Sequence, residues 1–304
     1  MRNLDSQETY LSDMSGLALE LRDLVGSGPN PDQAYLPPYG VVGFGEGWWA
    51  ARLARRWLNH ELTPQGTQFV LEGGYDLGEA LGAGLYAEAG GAQIVRLGLH
   101  ENDEVIVAAS ALSPYRYLRF LLLATGQPDE LARVDQALLA EREHLRPEVF
   151  TDRNPAKFLA YNLLERVPLW VVSERYGGLA AALQQTLARI GKSLSITPPP
   201  SGLEFFVTAL EGSFPGDGEV AKHQQGNELA AVVIGDDERT RLAVEILEPR
   251  VDTVIELPKP PVEGLLAESL VYWYRVAWAS YYLALLKGID PGDREDLANL
   301  REAT

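Results

Sequence analysis

Short aliphatic runs, each closed by glycine, asparagine, aspartate or serine and most followed by a helical pattern, recur along this chain, and the alternation occurs twice. In the first series Val41-Val42-Gly43-Phe44-Gly45 is a buried strand entering glycines, and further strands are expected at 68–71, 92–97 and 104–109. Helices are expected at 48–58, 115–125 and 128–144. In the second series strands fall at 168–173, 229–234 and 253–257, with helices at 178–192 and 240–247 and a long one from Gly264. Strands that are aliphatic throughout, rather than on alternate residues, belong to parallel sheets covered on both faces. The pattern therefore specifies an α/β protein of two doubly wound, flavodoxin-like parallel-sheet subdomains, with helices at both ends. The N-terminal helix is expected over 4–25, because Leu11, Met14, Leu17, Leu21 and Leu24 make one apolar stripe. The polar, proline-bearing segment 146–155 marks the join. The expected organisation is an N-terminal helix (1–30), a first subdomain (31–150), a second (151–262) and C-terminal helices that pack back on the body (263–304).

Composition narrows the partners. A net charge of -17 over 304 residues repels phosphate backbones, so nucleic acid is excluded as a partner. Any anion site must draw on backbone N–H groups or a helix N-terminus. With no cysteine, disulfides, thiolate metal sites and a thiol nucleophile are ruled out. The acidic start, Met1-Arg2-Asn3-Leu4-Asp5, is unlike a secretory signal, which points to the cytoplasm. Residues 264–288 are long enough to span a bilayer, but Glu268 and Arg275 interrupt them, so a buried or subunit-facing helix is expected and no membrane association. Few lysines beside arginine, 2 methionines and 19 prolines fit a thermophile's protein.

In open α/β sheets ligands sit at the carboxyl ends of strands, where the strand order reverses. The loops after Val42, Val107 and Val172 are therefore the places to search. Gly43, Gly45 and Gly47 form a strand-to-helix turn whose amides can approach an anion. Trp48 stands where a dinucleotide fingerprint has its last glycine, and Glu46 lies inside the turn; a tight turn without ligand is the other reading. Ser110 and Ser113 offer hydroxyls before a helix, and Ser113 ahead of Pro114 also reads as a plain N-cap. His60, His100 and His144 lie in surface contexts, whereas His223 sits in a loop rich in glycine and aspartate and is the one candidate acid/base histidine. No metal-ligand spacing or Ser/His/Asp arrangement is recognisable, and no cofactor is expected. The aromatic run Tyr272-Trp273-Tyr274, Trp278 and Tyr281-Tyr282 covers every face of one helix. Core packing and a subunit interface both explain it, and aromatic enrichment at interfaces favours the second.

The order of these motifs resembles the sugar isomerase (SIS) domain family, and within it the bifunctional phosphoglucose/phosphomannose isomerases. Ala279-Ser280-Tyr281-Tyr282-Leu283-Ala284-Leu285-Leu286-Lys287-Gly288-Ile289-Asp290-Pro291, with Asn299-Leu300-Arg301 beyond it, is similar to the end of those chains. The resemblance implies a homodimer that converts aldose to ketose sugar phosphates. It implies a phosphate held by the Gly43, Gly45, Gly47 turn and by Ser110 and Ser113, with Arg153 near the reacting carbons, Arg301 at a lysine position and His223 in ring opening. Several positions depart from the family: Glu46 replaces a glycine, and Ala108, Ala111 and Leu112 replace the first serine, the glycine and the asparagine of the serine loop. In one register Arg189 stands where the family has its glutamate base and Val207 where it has its histidine; in another Val207 stands on the base and His223 on the histidine. Arginine stays protonated and cannot replace the base, and Glu204 and Glu211 are carboxylates near it by sequence alone. Loss of a general base removes about 10²–10⁴-fold of rate. The expectation is a sugar-phosphate binder with weak or lost isomerisation; an active isomerase and a ligand-free interaction dimer are the alternatives.

Overall fold

A computed structural model describes residues 2–73, 77–98, 105–106, 111–198 and 229–292. The chain divides into two compact units, one of residues 16–142 and the other of 2–15 and 143–291.

In the first unit α1 (Leu17–Arg22) precedes β1 (Tyr39–Gly43), α2 (Gly47–Ala54), β2 (Thr67–Leu71), α3 (Leu77–Ala89), β3 (Gln93–Gly98), β4 (Val105–Ile106), α4 (Ser113–Ala124) and α5 (Pro128–Leu145). The strands are parallel neighbours in the order β1-β2-β3-β4, with Val41 opposite Phe69 and Val42 opposite Val70. His60 makes a parallel bridge with Gly40 on the remaining edge of β1, where the Val41 amide donates to the His60 carbonyl at 3.1 Å. The chain thus leaves β1 to one side and returns to β2 on the other, so the order reverses at β1. Both faces are covered: Val42 and Val70 pack on Ala80 and Ala83 of α3, while the Phe69 ring meets Phe120 of α4 edge-on at 6.4 Å. That is why every residue of β2 is buried.

The second unit contains a 3-10 helix (Gln7–Ser12), α6 (Pro155–Leu163), β5 (Val167–Val172), α7 (Leu179–Gly191), β6 (Leu229–Ile234), α8 (Glu238–Leu247), β7 (Thr253–Glu256) and α9 (Leu265–Lys287). The parallel order β5-β6-β7 leaves one edge of β5, which Ile196 takes by accepting from the Trp170 amide at 2.9 Å and donating to the Pro168 carbonyl at 2.8 Å. The order reverses here as well. Both units are doubly wound, as the alternating pattern requires.

Three expectations are corrected. The single helix over 4–25 is instead a 3-10 turn and a short α1, separated at Gly16, whose φ is +73°. Leu17, Leu21 and Leu24 are buried, but Leu11 and Met14 are exposed at 80% and 84%, so the stripe belongs to two surfaces. Helices α3 and α6 form where none was expected. In α6 the Asn154 side chain accepts from the amides of Ala156 and Lys157, both at 3.0 Å, so Asn-Pro opens a helix there rather than marking a break. The aromatic helix α9 is core, not a subunit face: residues 266–286 are buried within one chain. Two of its polar tips find partners there, Trp273 Nε1 donating to Thr186 Oγ1 at 3.0 Å and the Tyr282 hydroxyl to the Leu145 carbonyl at 2.5 Å. Among the described residues no helix is long and apolar enough to cross a membrane.

Candidate functional site

The order reversals put two places under suspicion: the ends of β1 and of β5. At the first, the β1–α2 turn lies backbone to backbone on the segment after β2. A Cβ on Gly73 would stand 2.1 Å from the Glu46 amide nitrogen, and one on Gly45 2.4 Å from the Gly73 carbonyl oxygen. Gly45 also has φ +51°. Cβ atoms on Gly43 and Gly47 would meet the Gly47 and Leu71 carbonyls at 2.3 and 2.6 Å. Packing alone therefore demands these glycines. Three amides of the turn are already spent: Phe44 donates across to Leu71 O at the end of β2 at 3.0 Å, and within the turn Gly47 donates to Phe44 O at 2.9 Å and Trp48 to Gly45 O at 3.3 Å.

Charge at this edge comes from three side chains. Glu46 is the residue before the first turn of α2, in αR conformation and without a side-chain bond to the helix amides, and its Oε2 is buried. Glu72 follows β2 directly and is 5% exposed. Arg96 of β3 brings its Nε to 3.9 Å from Glu72 Oε1. From α4 the Tyr117 hydroxyl donates to the Glu72 carbonyl at 2.5 Å, which ties the start of that helix, where Ser113 is fully buried, to the same edge. Ser113 is the first residue of α4 and Leu112 its cap. The edge thus joins a glycine turn, two carboxylates, a guanidinium and a helix start.

At the second place, Ser173 follows β5 and its Oγ accepts from the Arg175 amide at 3.2 Å. Gly235, at φ +114°, closes on it from the end of β6, where a Cβ would lie 2.5 Å from Ser173 Cβ. Glu268 of α9, 2% exposed, accepts from Arg175 Nη2 and from the Tyr176 hydroxyl, each at 2.8 Å. Burial, then the bond to Glu268, pushes the Tyr176 phenol far above its ordinary range. Burial pulls Asp237 upward, but hydrogen bonds from Ser173 and from the Thr240 amide and hydroxyl outweigh it and hold this carboxyl below the usual value. Glu174 pairs with Arg239 at the rim.

Of the residues singled out by sequence, Gly43, Gly45, Gly47 and Ser113 share the first edge. Arg153 is in the other unit, on the 3-10 helix Thr151–Arg153, with its side chain 83% exposed and 3.7 Å from Asp152. His60 and His144 are exposed. Ser110, His223 and Arg301, with His100, Val207, Glu204 and Glu211, lie outside the described residues. Sequence reasoning missed Glu72, Arg96, Tyr117 and the Glu268 group. A signal existed for Glu72, a charge placed between an aliphatic strand and two glycines. Glu268 was visible only as an interruption of an apolar helix.

Residues 17–126 match the family model of the phosphoglucose isomerase N-terminal domain, and residues 152–303 that of the bacterial phospho-glucose isomerase C-terminal SIS domain. A crystal structure of a glucose-6-phosphate isomerase like protein from Thermus thermophilus is 52% identical, with 100% of both chains covered and a TM-score of 0.89. Glucosamine-6-phosphate deaminase from Thermotoga maritima is 13% identical over 95% of this chain and 96% of that one, with a TM-score of 0.56. The C-terminal domain of glucosamine-fructose-6-phosphate aminotransferase from Francisella tularensis is 12% identical over 96% and 94%, with a TM-score of 0.52. The last two share the fold. No curated protein matches by sequence.

Proposed function

This chain belongs to the phosphoglucose isomerase family, with an SIS domain in its second half, and on that premise we propose that it binds a sugar phosphate at the carboxyl edge of the first sheet and isomerises it weakly or not at all. The ligand lies between the β1–α2 turn and the start of α4, where the strand order reverses. Ser113, with Ser110 ahead of it, serves the phosphate end through the first amides of α4. His223, Arg153 and Arg301 are the candidates for ring opening and for the groups near the reacting carbons. The observation that carries the weak-turnover reading is Glu46: a carboxylate stands inside the glycine turn, and three amides of that turn already donate to backbone carbonyls of the turn and of β2. Such a turn is poorly suited to a dianion, and a family member that grips its substrate less well at one end positions the reacting carbons less well.

Thermal denaturation with glucose 6-phosphate, fructose 6-phosphate and mannose 6-phosphate tests binding. A ligand present at 100 times its Kd adds about 2.7 kcal/mol of stability. A clear shift with at least one of the three is expected, together with little or no interconversion of fructose 6-phosphate and glucose 6-phosphate in a coupled assay. Rapid turnover would replace this reading by that of an active isomerase. The absence of any shift would leave an interaction dimer without a ligand.

A further inference from the structure

Two short segments of the unit of residues 2–15 and 143–291 are laced together by side-chain bonds to backbone. In the first, the Leu4 amide donates to the Tyr161 hydroxyl at 3.0 Å, and the Leu4 carbonyl accepts from the Tyr10 hydroxyl at 2.6 Å. Asp5 Oδ1 then accepts from the amide and the hydroxyl of Thr151, each at 3.1 Å. In the second, just past α5, the Val149 amide closes a turn on the Arg146 carbonyl at 3.1 Å, and Asn154 Nδ2 donates to the same carbonyl at 3.0 Å. Leu4, Asp5 and Tyr10 from the one and Pro147, Glu148 and Phe150 from the other line a cavity of about 430 Å³, open to solvent. That volume falls within the roughly 300–1,000 Å³ of small-molecule sites, which are mostly apolar and carry a few placed polar groups.

The lining matches that description. Most of it is apolar, and Phe150 keeps 66% of its surface exposed, a large ring that the core does not use. Two carboxylates share the cavity with these rings, and both act on Tyr10: burial, then the charges of Asp5 and Glu148, raise its phenol. Asp5 is matched by the Lys157 ammonium at 3.0 Å. Glu148 is exposed, and among the described residues no hydrogen bond or salt bridge takes up its carboxylate, although its charge is felt at Lys157. One matched pair and one further carboxylate leave the cavity net negative, which disfavours any anion, a sugar phosphate included. A positive charge is favoured twice, by Glu148 and by ring faces that attract cations within about 6 Å. Tyr10 already holds one in this way, the Lys157 ammonium lying 5.9 Å from its ring centre. We propose that this cavity is a ligand site of its own for a small organic cation, an ammonium on an aromatic or branched aliphatic body, with Glu148 as counter-charge and Tyr10 and Phe150 as aromatic walls. The inference goes beyond the sugar-phosphate reading and does not depend on it, since none of these residues belongs to the edge of the first sheet.

The test is an amide NMR titration of the isotope-labelled full chain with three probes of one shape and different charge: benzylamine, benzyl alcohol and benzoate. Benzylamine, a cation at neutral pH, is expected to bind at millimolar concentration or below and to shift the amides of residues 4–10 and 148–151. Benzyl alcohol is expected to bind the same residues about tenfold more weakly, the scale of one opposite-charge contact in a partly solvated site, and benzoate not at all. The variants are Glu148→Gln, Phe150→Ala and, as a control for total charge, Glu245→Gln on the exposed side of α8. Glu148 and Phe150 are both exposed, so neither change threatens the fold. Glu148→Gln is expected to bring benzylamine down to the level of benzyl alcohol and to leave the alcohol unchanged. Phe150→Ala is expected to weaken both about threefold, the value of an exposed cation–ring contact, and Glu245→Gln to behave as the parent. If Glu148→Gln binds benzylamine as tightly as the parent, the inference is overturned, whatever the alcohol does. If Glu245→Gln loses as much as Glu148→Gln, the effect is general charge and the inference falls. If no probe shifts residues 4–10 and 148–151 in the parent, the cavity takes no such ligand and the inference is overturned outright.

Discussion

Lys157 carries its charge inside the protein. Its side chain is 1% exposed, and the ammonium donates to the carbonyls of Leu4 and Pro147, each at 2.9 Å, and to Asp5 Oδ1 at 3.0 Å. The rings of Tyr10 and Tyr282 flank it at 5.9 and 5.7 Å. All three donors are thus used, which is what keeps a buried ammonium tolerable. Burial draws its pKa down, and the Asp5 carboxylate opposes that. Removing the ammonium strands part of the group: after Lys157→Met the Leu4 carbonyl keeps the Tyr10 hydroxyl and Asp5 keeps Thr151, but the Pro147 carbonyl loses this donor and the Asp5 carboxylate loses its counter-charge. The substitution is expected to cost about 3 kcal/mol in urea denaturation and to release the first residues to proteolysis. A loss under about 0.5 kcal/mol would show that solvent replaces the ammonium freely. No pattern in the sequence marks this lysine. Its partners come from residues 4, 5 and 147, and periodicity reports only what neighbours on one element share.

Elements divide the same way. The strand positions were legible because aliphatic runs with punctuating glycines and aspartates are a local property, and among the described residues a parallel strand overlaps each of them, only 105–106 being described of the run expected at 104–109. Helix α3 was not legible, because Gly78, Gly82 and Gly84 lower its intrinsic propensity. One of them answers to packing, since a Cβ on Gly84 would touch Arg96 Nη2 at 3.4 Å. The glycine turn after β1 was legible as a turn, but its tightest constraint comes from Gly73 on a different segment. In α9 the aromatic run was visible and its placement was not: the carbonyl of Leu145 and the hydroxyl of Thr186, which let Tyr282 and Trp273 be buried, lie about a hundred residues away in the chain. Trp278 puts that core placement to the test. It is fully buried, stacked on Tyr282 at 5.8 Å and edge-on to Tyr281 at 5.7 Å. Trp278→Ala is expected to cost about 3–5 kcal/mol through lost transfer energy and the cavity left behind. Because the site is core, the fall in Tm should be the same at every protein concentration. A loss that fades as the protein is concentrated would instead restore the interface reading of this helix.

At the scale of the whole molecule, buried phenols set how the protein fails in alkali. Burial raises the pKa of Tyr10, Tyr115, Tyr176, Tyr272, Tyr281 and Tyr282, in each case as the largest cause. The carboxylates beside them add to it: Asp13 for Tyr281 and Glu268 for Tyr176. An unfolded tyrosine ionises near pH 10.0. Below that pH both states hold the proton and the stability these groups give is fully present. Above it the unfolded chain sheds protons that the folded chain keeps, so each such tyrosine removes about 1.4 kcal/mol of stability per pH unit. Lys157 and Lys287 act in the opposite sense, since burial lowers both from 10.5. Their effect is a rise in stability with pH, and it ends once the unfolded lysines have also lost their protons, just where the tyrosine effect is steepening. A cooperative collapse above pH 10 is therefore expected, with phenolate absorbance and loss of circular dichroism rising together. Of these tyrosines Tyr115 alone lies in the unit of residues 16–142. The unit of residues 2–15 and 143–291 should consequently open first, and brief proteolysis at rising pH should cut there before it cuts between 16 and 142. Gradual ionisation near pH 10 with the fold intact would show that the phenols are reached by solvent in the native state, and the aromatic core described for α9 would have to be abandoned along with the prediction.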